Sequence, residues 1–242
     1  MHSPLELPLC YYDGSLVGLV YRPEVARTRL LLEHTPFAPI VFAGRAAALL
    51  LAFEYRSTTI GPYAEVGLAV QVKRRGTQPR VTGLINDLRS QPDQGLYMVH
   101  LPVTSRPAMH AGRRYWGYPK YLNRIYTNFC PDHLSVDLYG ELRLSMGASS
   151  GIETAGFPFV TCTTRRGRVI RTVIETNHNV RWGGAQGAYL SVIGNGPTAR
   201  SVLALGLDQM RPMAAFRTDA LRAILPAGED QGQTLMRPRL VG

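Results

Sequence analysis

The sequence predicts one α+β domain dominated by antiparallel β structure, and three observations carry that reading. Short apolar or alternating runs follow one another at near-regular spacing, turn residues separate them, and helical patterns are few. A chain of 242 residues suits one large β-rich domain. Its hydrophobic share of 45% and charged share of 18% give ample material for a buried core and none of the signature of disorder.

Taken in order, segments 15–21 (SLVGLVY), 66–72 (VGLAVQV) and 95–102 (GLYMVHLP) read as strands. So do segments 134–144 (LSVDLYGELRL), 169–175 (VIRTVIE) and 188–193 (AYLSVI). In 134–144, Leu134, Val136 and Leu138 alternate with Ser135, Asp137 and Tyr139, the pattern of a half-buried strand. Arg75-Gly76, Tyr139-Gly140 and the run from Gly194 to Pro197 mark turns. Helices are expected over 23–33, where Pro23 and Glu24 suit a first turn, over 198–207 with Thr198 as a capping residue, and over 218–225, stopped by Pro226. From Glu229 onward the chain reads as a loose tail.

The formal charge of +10 raises nucleic acid and membranes as partners, but its distribution argues against both. Arginines are spread from Arg22 to Arg239, and the densest runs, Lys73-Arg74-Arg75 and Arg165-Arg166-Gly167-Arg168, sit beside glycines between strand-like segments, as turns do. No nucleic-acid-binding motif accompanies them; a general attraction for anionic substrates is compatible with the charge. The longest apolar run, residues 46–53, is far short of the roughly 20 residues of a membrane span. Three scattered cysteines without paired spacing, and no signal-type N-terminus, lead us to expect a soluble cytoplasmic protein with reduced thiols.

Phosphate-binding, zinc and serine-nucleophile motifs are absent, and the six histidines show no metal-ligand spacing. Neither a metal, a nucleotide nor a flavin is indicated. Lysine is more informative because it is rare: of 27 basic residues, Lys73 and Lys120 alone are lysines. Lys73 lies in a charged turn. Lys120 lies among aromatics, in Tyr115-Trp116-Gly117-Tyr118-Pro119-Lys120-Tyr121-Leu122. Arginine does not lose its proton at accessible pH, whereas a desolvated lysine becomes a neutral nucleophile. The alternative is a lysine that snorkels from an aromatic patch to solvent.

The stretch from Met109 to Lys120 (MHAGRRYWGYPK) resembles the lysine signature of the acetoacetate decarboxylase superfamily. Upstream, Gly61-Pro62-Tyr63-Ala64-Glu65-Val66 resembles the family's Y-x-E segment, and Val20-Tyr21-Arg22 the start of its first helix. Downstream, Trp182-Gly183-Gly184 and residues 213–220 resemble its C-terminal strand pair. The resemblance implies a cone-shaped closed β-barrel with flanking strands and a few helices, in a homo-oligomer, needing no cofactor. It implies that Lys120 forms a Schiff base with a small keto acid, the iminium serving as electron sink, and that Glu65 positions substrate or shuttles protons.

Two departures qualify the reaction. The decarboxylases carry a second lysine directly after the nucleophile, where this chain has Tyr121. They also carry a basic pocket residue shortly before the first helix, where the stretch from Tyr11 to Ser15 has no arginine. A neighbouring cation lowers a lysine's pKa, and the acetoacetate decarboxylases illustrate it. Here desolvation by Trp116, Tyr118 and Tyr121 would take over that role, with Arg113 or Arg114 as a possible source of positive charge. Superfamily members that keep the lysine for other chemistry act on pyruvate or related 2-oxo acids by aldol addition, dehydration or cyclisation. The expectation is therefore a Schiff-base lyase of that kind, ahead of a true decarboxylase or a non-catalytic binding barrel. Tyr121, Tyr118 and Tyr63 are candidate acid–base or substrate-binding groups, with Trp116 and Arg113 beside them.

Overall fold

The computed structural model describes residues 5–78, 88–147, 151–183 and 187–233. Strand β1 (Leu9–Tyr21) leads into helix α1 (Val25–Leu31), β2 (Phe37–Pro39), β3 (Ala48–Thr58), β4 (Tyr63–Arg74) and β5 (Gln94–Val103). Helix α2 (Arg106–Ala111) runs into a π-helical turn over Gly112–Trp116 and then β6 (Lys120–Leu122). There follow β7 (Ile125–Phe129), β8 (His133–Leu138), β9 (Leu142–Gly147), β10 (Glu153–Ala155), β11 (Phe159–Arg165) and β12 (Arg168–Thr176). The chain ends with β13 (Asn179–Gly183), β14 (Ala188–Val192), α3 (Pro197–Leu205), β15 (Ala214–Thr218), β16 (Ala223–Leu225) and β17 (Glu229–Gln233).

Seven strands close a barrel in the order β1-β3-β4-β5-β11-β12-β16 and back to β1. The neighbours are antiparallel except at the β5–β11 contact. Strand β6 adds to β5 in parallel. A second sheet, β14-β9-β8-β7, packs outside the barrel wall with α1 and α3.

Alternation of side chains divides the core in two. On β3, Ala48, Leu50 and Ala52 face the outer sheet, while Leu49, Leu51, Phe53 and Tyr55 face the lumen. On β4, Val66, Leu68, Val70 and Val72 face outward, which leaves Tyr63, Glu65 and Ala69 inward. An irregularity in the β1–β3 register between Tyr11 and Gly14 flips the parity of β1, so that Tyr11 and Leu16 share the inner face. A strand buried on both faces reads as a continuous apolar run, so segment 46–53 carried no visible alternation and β3 escaped the sequence reading.

Several expectations need correction. Segment 134–144 is a hairpin of β8 and β9 rather than one strand, because Gly140 takes the left-handed conformation (φ 70°). Segment 218–225 is no helix: β16 pairs with β1 and β12, and that pairing closes the barrel, outweighing the local helical pattern. Tyr21 still belongs to β1 and the first helix begins only at Val25. Thr198 is not the cap of α3, whose cap position is Gly196; the Glu141 carboxylate accepts instead from the backbone N–H groups of Thr198 and Ala199. Residues 229–233 form β17 on β12, and the rest of the expected tail lies outside the described residues. The expected C-terminal strand pair is present as β13 against β15, with Trp182 opposite Phe216; Gly184 is outside the described residues.

The charged runs have structural duties. Lys73 donates to the Thr77 carbonyl, Arg74 to the carbonyls of Gln231 and Gln233, and Arg75 to those of Leu32 and Thr35. Arg166 and Gly167 form the left-handed turn joining β11 to β12.

On β1, a Cβ at Gly18 would stand 2.2 Å from the Phe216 ring. Gly18→Ala is therefore expected to lower stability by roughly 1–3 kcal/mol, the usual cost of overpacking, read from urea unfolding.

Candidate active site

The local route to Lys120 starts at α2. The Ser105 side chain caps it by accepting from Ala108 N–H, and Pro107 occupies its first turn. The helix widens into the π-helical turn, and Gly117 reverses the chain with φ 68°, where a Cβ would also strike the Thr164 carbonyl at 2.7 Å. The Tyr118 N–H donates to the Gly112 carbonyl at 3.1 Å, and Arg113 donates to the Lys120 carbonyl at 2.5 Å. Beside β5, Lys120 stands opposite Leu101. Its stem lies over Gly112: a Cβ there would approach Lys120 Cδ to 2.5 Å and Cε to 2.7 Å. Only glycine leaves the lysine this path.

The amine ends inside the barrel. Lys120 Nζ donates to Glu65 Oε2 at 2.5 Å, and the two side chains are 5% and 8% exposed. Nζ is also 5.5 Å from the centre of the Tyr63 ring and 5.9 Å from that of Tyr118. The pair faces a cavity of about 60 Å³, several times the room one water needs. The surrounding wall is mostly hydrocarbon, from Leu51, Phe53, Met98, Leu101, Phe159 and Leu225 among others. Hydroxyls of Tyr11, Tyr55, Tyr118, Thr161 and Thr176 interrupt it. Burial, reinforced by the negative charge of Glu65, holds the Tyr11 and Tyr55 hydroxyls well above the ordinary tyrosine range. Burial does the same for Tyr118 and Tyr63. These phenols therefore stay protonated and keep a hydrogen to donate.

The structure thus brings together Lys120, Glu65, Tyr118 and Tyr63, but it separates three other expected site residues from the cavity. Tyr121 follows Lys120 on an extended strand and so projects to the opposite side. There its hydroxyl meets Glu141 and Thr198, each at 2.6 Å. Trp116 is buried behind the wall, stacked on Tyr118 at 6.1 Å with its indole N–H on the Pro226 carbonyl. Arg113 is exposed and holds backbone rather than substrate. Tyr11 and Tyr55, which sequence reasoning missed, line the cavity instead. Their strands carry apolar residues on both faces, so periodicity gave no signal for which side chains turn inward.

Among the described residues no group of three or more His, Cys, Asp or Glu side chains could hold a metal ion. Among them, too, no helix is long and apolar enough to cross a membrane.

The sequence matches the family model described as acetoacetate decarboxylase over residues 3–143. Solved structures of similar fold include an acetoacetate decarboxylase from Legionella pneumophila, at 14% identity over 98% of this chain and 94% of that one, with a TM-score of 0.67. A second structure of acetoacetate decarboxylase has 18% identity over 96% and 92% of the two chains and a TM-score of 0.71. The enduracididine biosynthesis enzyme MppR, complexed with the condensation product of pyruvate and imidazole 4-carboxaldehyde, has 13% identity over 94% and 90% and a TM-score of 0.62. At these identities the likeness concerns the fold. No curated protein matches the chain.

A buried ion pair is costly to split and often dispensable to stability as a whole. Glu65→Leu alone is expected to destabilise by roughly 3–5 kcal/mol, by stranding the ammonium, whereas Glu65→Leu combined with Lys120→Met restores stability to wild type or above. Urea unfolding of the two variants checks both parts.

Proposed function

The chain belongs to the acetoacetate decarboxylase family, and from that premise we propose that it is a Schiff-base-forming lyase in which Lys120 condenses with the carbonyl carbon of a small substrate. The observation that carries this reading is the Lys120–Glu65 contact of 2.5 Å inside an otherwise largely hydrocarbon cavity. Transfer of one proton from Lys120 to Glu65 gives a neutral amine and a neutral acid, the forms that attack a carbonyl and protonate its oxygen. The new N–C bond gives a carbinolamine once Glu65 has taken a proton from the attacking nitrogen, and the hydroxyl departs as water with the proton that Glu65 then returns. The resulting iminium draws electrons from the adjacent carbon. Glu65, again a carboxylate, takes the proton from that carbon and leaves an enamine. The enamine then attacks a second carbonyl, forming a carbon–carbon bond, or expels a β-hydroxyl as water. Hydrolysis of the imine frees Lys120. Tyr118, whose ring is 5.9 Å from Nζ and whose hydroxyl meets Thr161, is the phenol we assign as donor to the substrate's oxygen.

Aldol or dehydration chemistry is favoured over decarboxylation by the charges of the cavity: among the described lining residues Lys120 is the one cation, so no second one is there to hold the carboxylate of a β-keto acid. MppR, with its pyruvate-derived condensation product, supports the same direction and keeps 2-oxo acids among the compounds to test.

Incubation with sodium cyanoborohydride and a panel of pyruvate, acetoacetate and 2-butanone, followed by intact mass measurement, tests the reading. The expected result is a mass gain equal to a carbonyl compound less one oxygen, absent from Lys120→Ala. In Glu65→Gln the gain is expected to form roughly a hundredfold more slowly, at the low end of general acid–base contributions. No gain with any compound would overturn the lyase reading, and Lys120-dependent release of carbon dioxide from acetoacetate would restore the decarboxylase.

A further inference from the structure

The charges in the cavity constrain what can enter it. Among the described lining residues, Lys120 is the one cation and Glu65 the one anion. An iminium keeps the positive charge of Lys120, so the pair stays neutral after an uncharged carbonyl compound is bound. A substrate carboxylate adds a second negative charge against a single cation, between walls of Leu51, Met98, Leu101, Phe159 and Ile174. An unpaired buried carboxylate is among the costliest arrangements in a protein interior. Four arginines outside the described lining have partners of their own. Arg113 holds the Lys120 carbonyl, Arg171 those of Leu88 and Arg89, Arg56 the Asp13 carboxylate, and Arg217 the Asp219 carboxylate.

The hydroxyls add a second constraint. Tyr118 is joined to Thr161 at 2.8 Å, Tyr11 to Tyr63 at 3.1 Å, and Thr176 donates to the Phe157 carbonyl at 2.9 Å. Tyr55 lines the same cavity and is only 8% exposed, yet among the described residues its hydroxyl has no hydrogen-bond partner. Its ring is fixed by packing against Tyr11, Phe53 and Tyr63 at 4.6, 5.3 and 4.8 Å. A phenol whose ring is held at a cavity wall is placed to donate to an acceptor that enters the cavity. The cavity of about 60 Å³ leaves that acceptor room beside Tyr55.

We propose that the substrate is a short, uncharged ketone or aldehyde, with its carbonyl carbon at Lys120 and a second oxygen accepting a hydrogen bond from Tyr55. This rests on the imine reading above and narrows it, replacing the keto acid that the sequence led us to expect. Glu65 and Lys120 discriminate by charge, the hydrocarbon wall by polarity, and Tyr55 by the position of one oxygen.

The test is cyanoborohydride trapping on the full chain, with adduct formation followed against the concentration of 4-hydroxy-2-butanone, 2-butanone, acetoacetate and pyruvate. Half-saturation is expected at a roughly tenfold or more lower concentration for 4-hydroxy-2-butanone than for either acid, a tenfold step corresponding to one well-placed hydrogen bond or more. Tyr55→Phe, which keeps the ring, is expected to bring 4-hydroxy-2-butanone to within about twofold of 2-butanone. Either acid saturating at a lower concentration than the hydroxyketone overturns the proposal while leaving the imine reading intact. Tyr55→Phe without effect on the hydroxyketone overturns the assignment of Tyr55. An absence of any adduct on Lys120 removes the imine reading itself, and the proposal with it.

Discussion

One ammonium and one carboxylate in contact within a mostly hydrocarbon lumen are the constraint on which the rest depends. A charge in such a place is tolerated only with a partner, so Lys120 and Glu65 must arrive together from β6 and β4. Strand pairing sets the distance between them: β4 and β6 both pair with the C-terminal part of β5, where Glu65 stands opposite Val103 and Lys120 opposite Leu101. The pair is held in a cavity with room for a ligand, the setting that the proposed chemistry needs.

The backbone around Lys120 obeys that requirement at several points. Gly112 vacates the space that the lysine stem fills, Gly117 supplies the left-handed reversal, and Arg113 pins the lysine's carbonyl. On the far side of β6, Tyr121, Glu141 and Thr198 form a polar strut to the start of α3. Residues 120 and 121 thus serve opposite faces of one short strand. The inner face carries the Lys120 amine, and the outer one ties the barrel to its helical support.

Much of this was legible in the sequence, and the parts that were not share a cause. The rarity of lysine singled out Lys120, while its aromatic neighbours left a buried amine and a snorkelling one both open; the resemblance alone pointed to Glu65 as a pocket carboxylate, and the structure sets it 2.5 Å from Lys120 Nζ. Which aromatic lines the cavity was not readable. Tyr121 is adjacent in sequence but faces away, whereas Tyr55 and Tyr11 come from strands distant in sequence, one in a run buried on both faces and one beyond a register irregularity. Segment 218–225 misled for a related reason: its Leu221 and Leu225 have helical spacing, yet both reach the lumen from an extended strand and its entry. Long-range pairing decides such cases, and local periodicity does not contain it.

The central claim is that Lys120 Nζ is the atom that bonds to substrate inside the barrel. A crystal structure of the chain after reduction with cyanoborohydride and 4-hydroxy-2-butanone tests it most directly. The account predicts density continuous from Lys120 Nζ into the cavity, with Glu65 still within hydrogen-bonding distance and the added hydroxyl on Tyr55. An unmodified Lys120 still paired with Glu65, with the adduct on Lys73 or at another amine, would contradict it.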